Sequence, residues 1–179
     1  MRTMRLIAVL AVPVFAVGVA AFPAGAASTG SQEAMSVSDL PNSVVPANCT
    51  MPRQRLHDNK TARKYLPKQG WINLSRPGRP IYAHLRPGRD DVVATYNCTA
   101  GGVGWPQVVV AYSPGGRLID GLDLYHFSHQ EYATVTGWRA VGHSVRMHWI
   151  SEDGCCGNKH RHHSRITLSQ GRLVLNAIR

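Results

Sequence analysis

From Asp91 to the C-terminus, no window of the sequence repeats its apolar residues at the three-and-four spacing of a helix. Short runs of alternating apolar and polar residues follow one another instead, separated by turn-forming residues. Residues 92–98 place Val92, Ala94, Tyr96 and Cys98 on one face. Residues 107–112 are β-branched and almost continuously apolar, the pattern of a strand buried on both faces. Ser113-Pro114-Gly115-Gly116 then turns the chain into 117–124, which reads as a hairpin. Residues 132–139 alternate again, and Gly142 turns the chain into 145–150, where Val145, Met147 and Trp149 alternate with Arg146 and His148. Ile166 and Leu168 alternate with Arg165, Thr167 and Ser169, and Gln170-Gly171 leads into Leu173-Val174-Leu175. This pattern predicts a mainly β protein of about seven strands, an antiparallel meander or a small sandwich or barrel, with at most one short helix. Trp138 and Trp149 fall on the apolar parity of their strands, so both are expected in the core.

The N-terminal third is of a different kind. Arg2 and Arg5 precede an apolar run over 6–22, and Ala24-Gly25-Ala26 fits the small-x-small cleavage rule. Residues 1–26 therefore read as a signal peptide, with cleavage after Ala26 or, second, Ala27, and the protein as secreted, with no membrane span after cleavage. Residues 27–48 are rich in Ser, Gly, Asn and Pro and are expected to be a flexible lead-in. One β-rich domain is expected over 49–179, divided into a basic segment at 51–89 and the strand meander at 90–179. In the basic segment, Asp58 to Leu66 fits two turns of helix, and 81–85 a short strand between Pro77-Gly78 and Pro87-Gly88.

The net charge of +10 is unevenly spread. Residues 51–89 contain Arg53, Arg55, Lys60, Arg63, Lys64, Lys68, Arg76, Arg79, Arg86 and Arg89 against one acid, Asp58. Residues 90–179 are close to neutral by count, with eight bases and seven acids. A cationic segment of this kind binds polyanions by releasing their counterions. Arg53, Arg55, Lys60, Arg63, Lys64, Lys68, Arg76 and Arg79 are the candidate binding residues, with Tyr65, Trp71 and Tyr82 available to stack on sugars or bases. Outside a cell the partners would be anionic wall polymers, acidic glycans, headgroups or DNA.

Four cysteines in an exported chain suggest two disulfides. Cys49–Cys98 with a vicinal Cys155–Cys156 is one arrangement, and Gly154 and Gly157 would give the vicinal ring its backbone freedom. The other joins Cys155 and Cys156 to Cys49 and Cys98 in either order. The stretch 151–163 reads as a loop holding Cys155, Cys156 and the run Lys159-His160-Arg161-His162-His163. A disulfide-stapled loop with a solvated basic tail is the expectation, and a weak metal site on His160, His162 and His163 the alternative. No cofactor is expected. His126, His129 and Glu131 form an H-x-x-H-x-E pattern in a strand connection, and Asp90-Asp91 supplies too few oxygens for calcium. No G-x-S-x-G or S-x-x-K nucleophile motif occurs, and of paired acids only Asp120 with Asp123 offers a hydrolase pair.

The alanine-rich leader, the strand ending in Cys98, the Val-rich run 107–112 and Cys155-Cys156 before two closing strands resemble a group of small, uncharacterised exported proteins of high-GC Gram-positive (actinobacterial) bacteria. The resemblance covers 90–179 and implies an extracellular location and a β architecture only. The function expected from the residues is a non-enzymatic extracellular or wall-associated binding protein engaging polyanions through a basic face. The alternatives are a metal-binding protein built on 155–163 and a small extracellular hydrolase.

Overall fold

A computed structural model describes residues 35–48, 51–60, 71–75, 79–99, 105–128, 132–154 and 157–178. In chain order these form a 3-10 helix (Val37–Asn42), β1 (Val44–Val45), β2 (Gln54–Arg55), β3 (Trp71–Leu74), β4 (Ile81–Arg86), β5 (Arg89–Thr99), β6 (Val108–Tyr112), β7 (Leu118–Asp123), a one-turn helix α1 (Tyr125–Ser128), β8 (Tyr132–Val141), β9 (Ser144–Glu152), β10 (Lys159–Ser169) and β11 (Arg172–Ala177). The mainly β, antiparallel expectation holds, with more strands than expected. The additions are the two-residue pair β1–β2 and the short β3, pieces too brief to carry a readable alternation. No helix of the described residues is long and apolar enough to cross a membrane.

The strands sort into a five-stranded sheet, in which β3 and β4 both pair with β5 and the order runs on through β6 to β7, and a four-stranded sheet of order β11-β10-β9-β8. The five-stranded sheet is buried on both sides. Val92, Ala94, Tyr96, Cys98, Val108, Val110 and Tyr112 face a first core closed by Met35, Leu40, Val45, Met51 and Leu56. Val93, Val109, Ala111 and Leu122 face a second core shared with Val135, Val145, Met147, Trp149, Ile166 and Leu173 of the other sheet. The two sheets thus stack as a sandwich, with the N-terminal segment as a third layer, and no barrel closes among the described residues. The continuous apolar run at 107–112 follows from this, because both faces of β6 meet a core.

Two expectations about the N-terminal part are corrected. The lead-in is not flexible from Met35 onward: Leu40 and Val45 are 0% and 1% exposed and belong to the first core. Its polar residues serve the packing. Ser36 caps the 3-10 helix in a capping box with Asp39. Ser43, whose Oγ lies 2.8 Å from the Tyr96 hydroxyl and 3.0 Å from that of Tyr112, pins the segment to the sheet. Nor does a helix start at Asp58. His57 and Lys60 pair across a turn in which Asp58 and Asn59 take φ of 51° and 62°, the left-handed pair of a tight hairpin turn. The rest of that expected helix lies outside the described residues, as does the leader at 1–26. Trp149 is buried as expected, its Nε1 donating to Ser164 Oγ at 3.0 Å. Trp138 is only half-buried; it packs on the second core and donates to the Arg79 carbonyl at 2.6 Å.

Candidate functional site

The four-stranded sheet buries one face and leaves the other to solvent. Side chains alternate across a strand, so burying Val145, Met147 and Trp149 sends Arg146 and His148 outward. On β10, burying Ser164 and Ile166 sends Lys159, Arg161, His163 and Arg165 outward. On β11, burying Leu173 turns Arg172 out. Register then aligns these cations across strands. Arg139 of β8 lies opposite Arg146 of β9, and Arg146 lies opposite Arg165 of β10. The result is a row of three arginines with Cβ atoms about 4.5–5.5 Å apart from strand to strand. One step along, His148 lies opposite His163, their rings in an edge contact with centroids 4.6 Å apart. Along β10 the outward cations recur every second residue, about 6.6–6.8 Å apart.

This face has little to neutralise it. Lys159 pairs with Glu152 at 3.0 Å. Among the described residues no carboxylate lies within ion-pair distance of Arg139, Arg146, Arg161, Arg165 or Arg172. The acids of the same half of the chain are engaged elsewhere. Asp91, fully buried, pairs with Arg86; Asp90 pairs with His84 at 3.3 Å; Asp153 pairs with His160 at 3.2 Å; Asp120 Oδ2 accepts from the Leu173 amide at 2.8 Å. Arg146, central in the row, also has its Nε shielded from solvent with no hydrogen-bond partner. An unsatisfied buried donor costs about 1–3 kcal/mol, and like charges opposed across strands add to that.

Sequence reasoning placed the cationic surface at 51–89, and the structure describes four of its eight candidate residues. Arg53, Arg55 and Lys60 are exposed in the N-terminal layer, where Arg55 Nη1 donates to the Asn42 carbonyl at 2.8 Å. The five-stranded sheet separates that layer from the four-stranded sheet. Arg79 is exposed beside Trp138. Arg63, Lys64, Lys68 and Arg76 lie outside the described residues, as do Tyr65 and the side chain of Trp71; Tyr82 is exposed. The signal for the outer face was parity within 139–172, where K-x-R-x-H-x-R over 159–165 sets every outward residue basic.

The loop expected at 151–163 is also corrected. β9 runs to Glu152 and β10 starts at Lys159, so the histidine run is strand. Lys159 opposes Glu152, and the ring of His162 stacks on Trp149 at 3.9 Å and 18°. His160 and His162 therefore share one face and His163 takes the other, so these three side chains do not converge on one ion. Ser151 Oγ and His162 Nε2 hydrogen-bond at 2.8 Å. Burial, with His160 nearby, holds the His162 pKa below its ordinary value. No group of three metal-ligating side chains occurs among the described residues. Cys49, Cys155 and Cys156 lie outside them, and Cys98 is buried in the first core.

The remaining candidates are dispersed. Asp120 and Asp123 are three apart on β7 and so point to opposite faces. Burial raises the Asp123 pKa while its Oδ1 accepts from the Tyr125 amide at 2.9 Å. His126 sits on α1, and His129 and Glu131 fall outside the described residues. Ser43, Tyr96 and Tyr112 do converge, but within the core, and burial raises both tyrosine pKa values. Their hydroxyls are engaged with one another and with the carbonyls of Leu40 and Val44. Comparison of the chain with protein-family models, with curated proteins and with solved structures gives no match.

Proposed function

We propose that this protein is a secreted, non-enzymatic binding protein that engages anionic polymers outside the cell or in the wall. The observation that carries the reading is the row Arg139–Arg146–Arg165, aligned by register on an open sheet face, with no carboxylate in ion-pair distance among the described residues. Cations set on a rigid sheet lose little freedom on binding, and each phosphate, sulfate or carboxylate they meet releases condensed counterions. The leader-like 1–26 segment supports export. An even cysteine count does too, and Cys98 is disulfide-bonded. We take Cys49 as its partner: Asn48, next in sequence to Cys49, lines a small recess in the first core together with Cys98. Gly154 and Gly157, either side of Cys155-Cys156, connect strands of the other sheet.

The test is salt dependence. Three contacts on a polyanion predict a loss of affinity of about twenty- to fortyfold between 50 and 200 mM salt. Replacing Arg139, Arg146 and Arg165 together by Gln lowers the slope of log K against log salt by about three times the single-contact value, and circular dichroism checks that the variant is folded. Titration of labelled dextran sulfate reads both quantities. Affinity that is flat over this salt range refutes the reading.

A further inference from the structure

We propose that the arginine row is a site for tetrahedral oxyanions, and that the polymer lying on the outer face is linked by phosphodiesters. This rests on the polyanion reading above and narrows it to one ligand chemistry. A planar carboxylate presents both oxygens along one edge and is matched by a single guanidinium fork. Arg139, Arg146 and Arg165 sit on adjacent strands about 4.5–5.5 Å apart at Cβ, so close that one anion meets two guanidiniums. A phosphodiester suits this spacing. Its two free oxygens diverge from the phosphorus, and each accepts from a different arginine while the group carries a single negative charge. Along β10, Lys159, Arg161, His163 and Arg165 repeat in the strand direction, so a chain with one phosphate per extended repeat meets a new basic residue at each step.

A second feature sits beside the row. The register of β8 against β9 shifts between Val135 and Gly137. An open cleft of about 400 Å³ lies there, lined by Thr136, His148, Arg161, His162 and His163, with Trp149 in its floor. His148 and His163 are one outward step from Arg146 and Arg165, so a polymer with a phosphate on the row places its linking unit at this cleft. Ring edges, a hydroxyl and a guanidinium line it, and they fit a polyol, a sugar or a base.

The experiment compares three polymers with the full chain at one ionic strength: poly(glycerol phosphate), an oligothymidylate and polygalacturonate. Both phosphodiester polymers are expected to bind at least about tenfold tighter than the carboxylate polymer. Arg146→Gln removes the central guanidinium, so that no anion meets two adjacent arginines. It is expected to bring the preference down to within about threefold and to lower the salt slope by about one contact. If Arg146→Gln does not fold, replacing Arg139 and Arg165 together by Gln leaves Arg146 without an arginine neighbour and makes the same test. Equal binding of all three polymers overturns the phosphodiester assignment and leaves the polyanion reading standing. Binding of none overturns both. An undiminished preference in the folded glutamine variant shows that the row is not the site. The tighter of the two phosphodiester polymers distinguishes a wall polymer from a nucleic acid as the source.

Discussion

Gln107 joins the two sheets, and replacing it with Met tests how the sandwich is held together. The side chain is 2% exposed. Its Nε2 donates to Ser75 Oγ at 2.7 Å and to Asn97 Oδ1 at 2.8 Å, and its Oε1 accepts from the Val135 amide at 2.8 Å. Its backbone amide donates to the Ala133 carbonyl at 2.8 Å, and its carbonyl accepts from Leu124 at 3.2 Å. β8 is the edge strand of the four-stranded sheet, so the outward N–H of Val135 has no neighbouring strand to bond. Gln107 takes the place of that strand, using its backbone for one group and its side chain for the next. Met has nearly the same shape and cannot make the three side-chain bonds. Each bond contributes about 0.5–1.5 kcal/mol, and a stranded, buried Val135 amide costs about 1–3 kcal/mol, so Gln107→Met is expected to lose about 3–5 kcal/mol. Urea denaturation followed by tryptophan fluorescence measures it. The midpoint should fall by more than about 1 M with the slope unchanged, and Tm by roughly 10 °C. A loss below about 1 kcal/mol would show that β8 is held by its core residues alone.

Two further predictions rest on single residues. The pKa of His162 is held below the ordinary value of 6.5, first by burial and then by His160, so as pH falls the unfolded chain takes up this proton before the folded one. The stability owed to neutral His162 is present above about pH 6.5 and is lost as pH falls toward the folded value. His162→Gln should therefore flatten the loss of Tm between pH 7.5 and 5, and parallel curves for variant and parent would count against it. For the disulfide, tryptic mapping without reductant should recover Cys49 linked to Cys98; Cys98 linked to Cys155 or Cys156 would refute the pairing.

Much of the fold was legible because its strands sort cleanly by parity. Val92, Ala94, Tyr96 and Cys98 share a face as read, and the unbroken run at 108–112 is the central strand with a core on each side. What escaped reading was structure stabilised by distant partners. The segment 35–48 has no readable hydrophobic period, and Leu40 and Val45 are recognisable as core only once Tyr96 and Tyr112 supply hydroxyls for Ser43. Gln107 reads as one polar residue before a strand, and its role depends on Ser75, Asn97 and Val135, 32, 10 and 28 positions away.

The candidate site escaped for a different reason. Counted by segment, the charge of 90–179 is nearly neutral. A sheet does not average charge along the chain. It separates residues by parity, and pairing then stacks equal parities from strands far apart in sequence, as it does for Arg139, Arg146 and Arg165. The acids of that half fall in places where their charge is consumed: Asp91 under Arg86, Asp120 on a backbone amide, Glu152 on Lys159. The histidine run misled in the same way. With Lys, Arg and His outward and His, His and Ser inward, 159–164 shows no apolar alternation, so it reads as a loop. Its inward face is nevertheless fitted to the sheet, since His162 lies flat on Trp149 and Ser164 accepts the indole N–H. A polar residue that stacks on a buried ring satisfies the core face of a strand as an apolar one would. That frees the outward face of β10 to be basic along its length, and it is why the arginine row stands on a strand that hydrophobic periodicity does not reveal.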